Sequence, residues 1–414
     1  MSSKNGQIKE FNRTRALPLV LFYFALLYVI LKTVFYVLSL VNKGEITMAG
    51  STFGTLFKIS TWGESHGEGI GVVVDGCPAG IPIDEDYIQS FLDRRKPGQS
   101  KFTTMRNEAD KVKIMSGVFE GKTTGTPISL VILNTSQISK DYSNIMDVYR
   151  PGHADFGFES KFGIRDYRGG GRSSGRETAA RVAAGAIAIK MLSYLGMEFT
   201  TYVKSVGEIE IDYSKFDKDE IMRNKLYMPD KEAAEKAGRY LESLIESKDS
   251  SGAVVELKCT GLPVGLGEPV FEKLDARLAE AIFSIGAVKG FEIGDGFKAA
   301  ASKGSENNDP FRIKDGKVVK KTNHSGGILG GISDGGDLVL RAAFKPTPSI
   351  YQKQHTVNNR KEEVDIEIKG RHDPIVAPRA VVVVEAMTAL VIADLLLQNC
   401  TSKMDNVLKI YSCN

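Results

Sequence analysis

From Met48 onward, apolar positions come in short runs whose rhythm keeps changing between period two and helical spacing. The run Gly69-Ile-Gly-Val-Val-Val-Asp75 predicts a buried strand, stopped by the turn residues Gly76-Cys-Pro-Ala-Gly80. Asp84–Leu92 predicts a short helix capped by Asp84, whose side chain can accept from first-turn N–H groups. Lys111–Phe119 and Pro127–Leu133 predict strands, with Gly121–Gly125 as the turn between them. The alanine-rich Ala179–Lys190 predicts a helix. Pro229–Glu246 predicts an amphipathic charged helix, Gly252–Cys259 a strand, and Pro269–Ile285 a second helix with apolar residues at helical spacing. Gly286–Gly296 predicts a glycine-punctuated strand, and polar Ser302–Thr322 a long exposed loop or hairpin. Leu338–Phe344 predicts a strand. Within Pro378–Gln398, Val381–Val384 argues for a strand and Glu385–Leu397 for a helix, while Lys403–Tyr411 reads as a peripheral tail. Strands and helices do not alternate strictly and G-x-G-x-x-G is absent, which disfavours a Rossmann domain. The pattern fits an α+β fold, helices packed on antiparallel sheets in one large domain.

Residues 1–47 have a different texture. Leu17–Leu31 is uninterrupted apolar sequence, Lys32 breaks it, and Thr33–Val41 is apolar again, with Lys4, Lys9, Arg13 and Arg15 in front. One reading of the hydrophobic segment 17–41 is a membrane anchor or targeting sequence; its positive flank would keep the N-terminus cytoplasmic and put a single-span body outside. The other is a mis-assigned start, with the functional chain, residues 48–414, beginning at Met48.

Composition narrows the classes. The chain has 414 residues, 42% hydrophobic and 25% charged, enough to bury a large core. A net charge of +3 creates no bulk field for nucleic acid, so anion chemistry must come from local clusters. Cys77, Cys259, Cys400 and Cys413 form no C-x-x-C pair, which points to a reducing, cytoplasmic compartment and to neither zinc nor a disulfide framework.

The densest chemistry lies in Tyr167-Arg-Gly-Gly-Gly-Arg-Ser-Ser-Gly-Arg-Glu-Thr178, directly before the alanine-rich helix. Glycines let backbone approach a ligand, a helix N-terminus favours an anion, and Arg168, Arg172, Arg176 and Arg181 add forked donors. The bland alternative is a flexible loop before a helix capped by Ser173, Ser174 or Thr178. Among five histidines, His66, His153, His324 and His372 stand beside small or turn-forming residues, suited to acid/base work near neutral pH. Asp373 follows Arg371 and His372, as an ion-pair member or a held base. Lys345-Pro-Thr-Pro-Ser349 sets a cation and two hydroxyls on a stiff turn, suited to a phosphate or a flavin's carbonyl edge. Arg94–Lys101 reads by itself as a solvated basic turn. The serine of Gly63-Glu-Ser-His-Gly67 is one place off a nucleophile elbow, and no histidine spacing suggests a metal. The sum describes an enzyme working by acid/base chemistry on a small polyanion. An RNA-binding reading of the Arg/Gly loop meets the near-neutral charge and the lack of stacking aromatics around it.

Five motifs in order, Gly63–Gly67, Arg150-Pro-Gly-His-Ala-Asp155, Tyr167–Thr178, Gly326-Gly-Ile-Leu-Gly-Gly-Ile332 and Arg371-His-Asp-Pro374, resemble the chorismate synthases. The resemblance runs from Met48 to about Tyr411, and Met48-Ala-Gly-Ser-Thr-Phe-Gly54 resembles the family's usual beginning, which favours the mis-assigned start. It implies conversion of 5-enolpyruvylshikimate 3-phosphate to chorismate by anti-1,4-elimination, with reduced FMN required and no net redox change. It also implies a sandwich of helices and antiparallel sheets assembled as a homotetramer. His66 resembles the histidine beside flavin N1, His153 the acid that assists the leaving phosphate, and Asp373 the carboxylate working with flavin N5 on the C6 proton. Flavin contacts would fall on Arg172, Ser173, Ser174, Ala287, Gly330, Lys345, Pro346, Thr347, Pro348, Ser349 and Arg371. Substrate phosphate and carboxylates would meet Arg95, Lys101 and cations near Arg181; Arg95 and Lys101 also match the family's NADP contacts. Gly286 stands where some members carry Asn, and Lys101 where others carry Arg, which keeps the charge and loses the fork. Nothing resembles a reductase insertion, so reduced flavin would come from an external donor. Intact His66, His153 and Asp373 argue against an inactive membrane-tethered homologue.

Overall fold

Two five-stranded antiparallel sheets face each other across a double layer of helices in the computed structural model. The described residues are 50–99, 102, 108–135, 145–368 and 373–412, and those from Ser51 onward belong to one unit. The first sheet runs, in spatial order, Thr52–Phe53, Lys58–Gly63, Gly69–Asp75, Ile128–Leu133, Val112–Ile114. Its register places Ile70 opposite Ile132, Val72 opposite Leu130 and Val74 opposite Ile128. Side chains alternate across a pleat, so these six share one face, and all are fully buried. The second sheet runs Val288–Ile293, Leu338–Phe344, Ala253–Thr260, Glu198–Val206, Ile209–Glu210. Its buried face pairs Val255 with Ala342, Leu257 with Leu340 and Cys259 with Leu338.

Helix Thr178–Ser193 packs on the first sheet, helix Ala377–Asn399 on the second, and the two helices pack on each other. Close approach is possible because the contact is built from small residues. A Cβ on Gly185 would lie 2.3 Å from that of Ala386. Ala377–Asn399 has the length and hydropathy of a membrane span, yet it is buried in the core among protein elements. Two carboxylates fix its rotation. Glu385 receives Arg94 through two hydrogen bonds of 2.8 and 3.0 Å. Asp394 accepts the backbone N–H groups of Thr55, Leu56 and Phe57 at 3.0, 2.7 and 3.0 Å.

Several expected elements appear as read. Helix Glu85–Arg95 begins behind Asp84, whose carboxylate accepts from Tyr87 N at 2.7 Å. Strand Gly69–Asp75 and helix Lys231–Glu246 are present, and 302–322 contains the hairpin Phe311–Lys314 with Lys317–Lys320. Others are corrected. Val381–Val384 lies inside helix Ala377–Asn399, because burial on all sides outweighs the β-preference of valine. The second helix starts only at Leu274; the Glu268 N–H closes a turn onto the Glu272 carbonyl before it. Lys111–Phe119 breaks into Val112–Ile114 and Val118–Phe119 around Gly117, whose φ is +79°. Lys122–Thr123, expected in a turn, pairs with Val118–Phe119. Strand Glu198–Val206 and helix Asp155–Phe162 had not been read from the pattern.

Candidate active site

The glycine/arginine stretch is not a bare loop running into a helix. It forms two short 3-10 turns, Gly171–Ser173 and Gly175–Glu177, directly before helix Thr178–Ser193. Ser174 caps the second turn by accepting from Arg176 N at 3.3 Å, and Ser173 Oγ donates to the Gly170 carbonyl at 2.7 Å. The arginines have protein partners. Arg172 donates to the Gly63 carbonyl at 3.0 Å and to Thr61 Oγ1 at 2.6 Å, holding the loop against strand Lys58–Gly63. Arg181 meets Glu177 at 2.9 Å and Ser284 at 2.6 Å. Arg168, half exposed, pairs with Asp166 at 2.8 Å.

Arg176 is buried. Its Nη1 donates to Asp110 Oδ1, and its Nε donates to Asn134 Oδ1 at 2.7 Å. Arg95 comes to the other oxygen of the same carboxylate, Asp110 Oδ2, at 2.8 Å and donates to the carbonyl of Gly175 at 2.9 Å. Burial raises the carboxyl of Asp110, but Arg95 and Arg176 outweigh it and hold the group below its ordinary range. Burial pushes the Arg95 guanidinium down to about 10; Asp110 opposes this, and Arg379 and Arg176 add to it. Arg95, expected to meet substrate or NADP, therefore sits behind the loop with 1% of its surface exposed. Arg379 continues the assembly, donating to the Arg95 carbonyl at 3.1 Å and to Asp373 Oδ2 at 2.6 Å. Asp373 is thereby tied to the back of the same loop.

His66 sits at the front, on the turn after strand Lys58–Gly63. Its Nδ1 shares a hydrogen bond of 3.1 Å with Ser65 Oγ. Gly169 presses on the ring: a Cβ there would come within 2.5 Å of Nδ1, so that position has room for nothing larger.

A second cluster joins segments far apart in sequence. His153 Nδ1 donates to the Pro151 carbonyl at 3.0 Å, and Nε2 bonds Ser349 Oγ at 2.9 Å. A carbonyl can only accept, so Nδ1 carries the proton and Nε2 is the nitrogen that gains or loses one. Lys345 Nζ donates to the Gly152 carbonyl at 2.7 Å, and Pro348 packs where a Gly152 side chain would go. Arg150 is not turned to a ligand; it grips Asp155 with two bonds of 2.8 Å, at the start of helix Asp155–Phe162. Ala287 accepts from Lys345 N at 2.9 Å and holds a φ of +73°, a strained conformation for a residue with a Cβ. Thr347 Oγ1 is buried with no hydrogen-bond partner among the described residues. Gly330, at φ +61° with open space around its Cα, lies on the hairpin Ile328–Leu329 with Ile332–Ser333. Lys101, Arg371 and His372 lie outside the described residues.

Sequence reasoning missed Asp110, Asn134 and Arg379. Arg379 left a trace, the one cation of helix Ala377–Asn399, set in its first turn. Asp110 and Asn134 left none, since their partners lie 66 and 42 residues away.

Comparisons with known proteins bear on the family. The family model described as chorismate synthase matches residues 57–397. The chain is 64% identical over 364 residues to a chorismate synthase of Agathobacter rectalis, covering 88% of this chain and 99% of that one. It is 65% identical to the one of Lachnospira eligens, covering 88% and 100%. A crystal structure of chorismate synthase superposes with a TM-score of 0.68 at 32% identity, covering 87% of this chain and 97% of that chain. The family model and these relatives span most of the chain, and the chain belongs to the chorismate synthase family.

Proposed function

We propose that His66, His153 and Asp373 handle the protons of the family's reaction, which turns 5-enolpyruvylshikimate 3-phosphate into chorismate and phosphate in the last step of the shikimate pathway. The observation that carries this reading is the fixed tautomer of His153. With Nδ1 held by Pro151, a protonated ring presents Nε2–H to a departing phosphate and returns to a neutral ring that accepts from Ser349. Asp373, paired with Arg379 and 10% exposed at its side chain, is the carboxylate that would receive the C6 proton. His66, clasped by Ser65 and Gly169, would set the protonation of the group beside it.

Reduced FMN fits the segment Lys345–Ser349. The unpartnered Thr347 hydroxyl is an orphan that a flavin carbonyl or ring nitrogen would satisfy. Lys345, Ser349, Ser173, Ser174 and Arg172 supply donors, and Ala287 and Gly330 supply backbone that can be approached closely. When bound, the reduced flavin supplies transient electron density that eases loss of the phosphate, with no net redox change. The residues of this chain orient the substrate, move protons and shield the site. For Arg95 we infer a supporting role behind the loop in place of substrate or NADP contact, given its burial and its bonds to Asp110 and Gly175. A homotetramer, an external flavin reductant and a cytoplasmic location complete the reading. Free thiols at Cys77 and Cys259, pushed by burial to about 11 and about 12, suit a reducing compartment.

The test is an anaerobic assay of the full chain with the phosphorylated substrate and chemically reduced FMN. Chorismate should form, and His153→Ala should slow turnover about 100- to 10,000-fold. Full turnover by His153→Ala would overturn the assignment.

A further inference from the structure

We propose that Asn134 is a positioning residue for His66, clamping both ends of the turn that carries the imidazole and tying that turn to the buried Arg176–Asp110–Arg95 assembly. The inference rests on the reading of His66 given above.

The turn runs Glu64-Ser-His-Gly67 and is closed weakly by its own backbone, Gly67 N to the Glu64 carbonyl at 3.3 Å. Asn134 Nδ2 donates to both end carbonyls, Glu64 at 2.9 Å and Gly67 at 2.8 Å. Its backbone N–H donates to the Glu68 carbonyl at 2.9 Å, so the residue grips the turn and the residue after it. The orientation of the amide is decided by chemistry. Arg176 has only donors, and its Nε lies 2.7 Å from the amide oxygen; the NH2 group must therefore face the two carbonyls. Asn134 itself directly follows strand Ile128–Leu133, whose last residue pairs with Gly69, so the clamp stands on the sheet. Arg176 is held in turn by Asp110, which also holds Arg95. The imidazole is thus placed by a chain of fully directed bonds that begins in the buried wall of the site. Errors of about an ångström in a reacting group can reduce rate about a hundredfold, so a clamp of this kind bears on turnover more than on binding.

Among the described residues, Glu64 on its own turn and Asp166 and Arg168 on the facing loop bring charge to the surroundings of the ring. Asp166 feels the charge of His66, and Arg168 that of Glu64. None of them is altered by replacing Asn134, so a change in the titration of His66 would report its position.

The experiment compares wild type, Asn134→Ala, His66→Ala and the double variant in the full chain, with thermal unfolding and NMR titration of the histidine rings. Asn134→Ala should lower kcat about 10- to 100-fold with little change in KM, and shift or broaden the His66 titration. In the His66→Ala background it should have no further effect on rate. Wild-type turnover by Asn134→Ala, or the same fractional loss in both backgrounds, overturns the proposal while leaving His66 in place. Full turnover by His66→Ala instead sinks the reading of His66, and the proposal with it. Asn134→Asp, which keeps the acceptor for Arg176 and removes both donors, repeats the test should the alanine variant unfold. Unfolding of both makes Asn134 purely structural and also overturns it.

Discussion

Behind Gly175, two guanidinium groups share one buried carboxylate, and most of their donors point at protein, while Arg95 Nε and Arg176 Nη2 are buried without a hydrogen-bond partner among the described residues. Around His153, by contrast, two segments almost 200 residues apart meet through a few bonds at half-buried positions, and a threonine hydroxyl is left unpartnered. The first region uses charge to hold shape. The second rests on single hydrogen bonds between partly exposed segments, which a ligand can reach. Density of arginine is therefore a poor guide to where an anion binds, because an arginine in a buried loop is as useful to the loop's own carbonyls.

That contrast can be broken from either side. The largest effect should come from Asp110→Asn, which takes from buried Arg95 and Arg176 the carboxylate they share, leaving Arg176 only the more distant Glu108 at 4.0 Å among the described residues, and should destabilise the fold by about 3–5 kcal/mol in urea unfolding. Its pH dependence has a definite sign. The carboxyl of Asp110 is depressed in the folded state. Its contribution is therefore fully present above the ordinary carboxylate value of about 4 and is lost as pH falls through the folded value. The unfolding temperatures of wild type and variant should converge in acid; a constant gap down to the lowest pH would contradict the assignment.

On the other side, His153→Ala should lose activity and keep its stability, so an unfolding temperature depressed as far as that of Asp110→Asn would erase the contrast. Ser349→Ala should be milder, with kcat reduced up to about tenfold, since one neutral hydrogen bond contributes about 0.5–1.5 kcal/mol. Smallest of all should be Arg168→Ala. Among the described residues this exposed arginine is ion-paired with its neighbour Asp166, and its removal should leave the unfolding temperature almost unchanged. A larger loss in calorimetry would show that the loop leans on Arg168 as it does on Arg176.

Much of this was legible before the structure. Glycines marked the turns at Gly63–Gly67 and Gly169–Gly171, and the order of the motifs carried the family. The apolar run Gly69–Asp75 read directly as a buried strand, and Leu338–Phe344 read as a strand that buries every second residue. Val381–Val384 misled because residue preference cannot see a neighbouring helix, and there the neighbour decides. The partnership of His153 with Ser349, and that of Arg95 with Asp110, had no local pattern at all. Hydrogen bonds between distant segments are set by the packing of whole layers, so the four motif arginines read alike in sequence and differ in the fold.

Helix Ala377–Asn399 has a consequence for how the chain is made. Its two carboxylates are received by Arg94 and by Thr55–Phe57, which leave the ribosome some 300 residues earlier. The socket is synthesised first and its plug some 300 residues later, so the layer joining the two sheets cannot close until that helix has been made. Until then the apolar faces waiting for that helix have to be sheltered by something other than the finished fold.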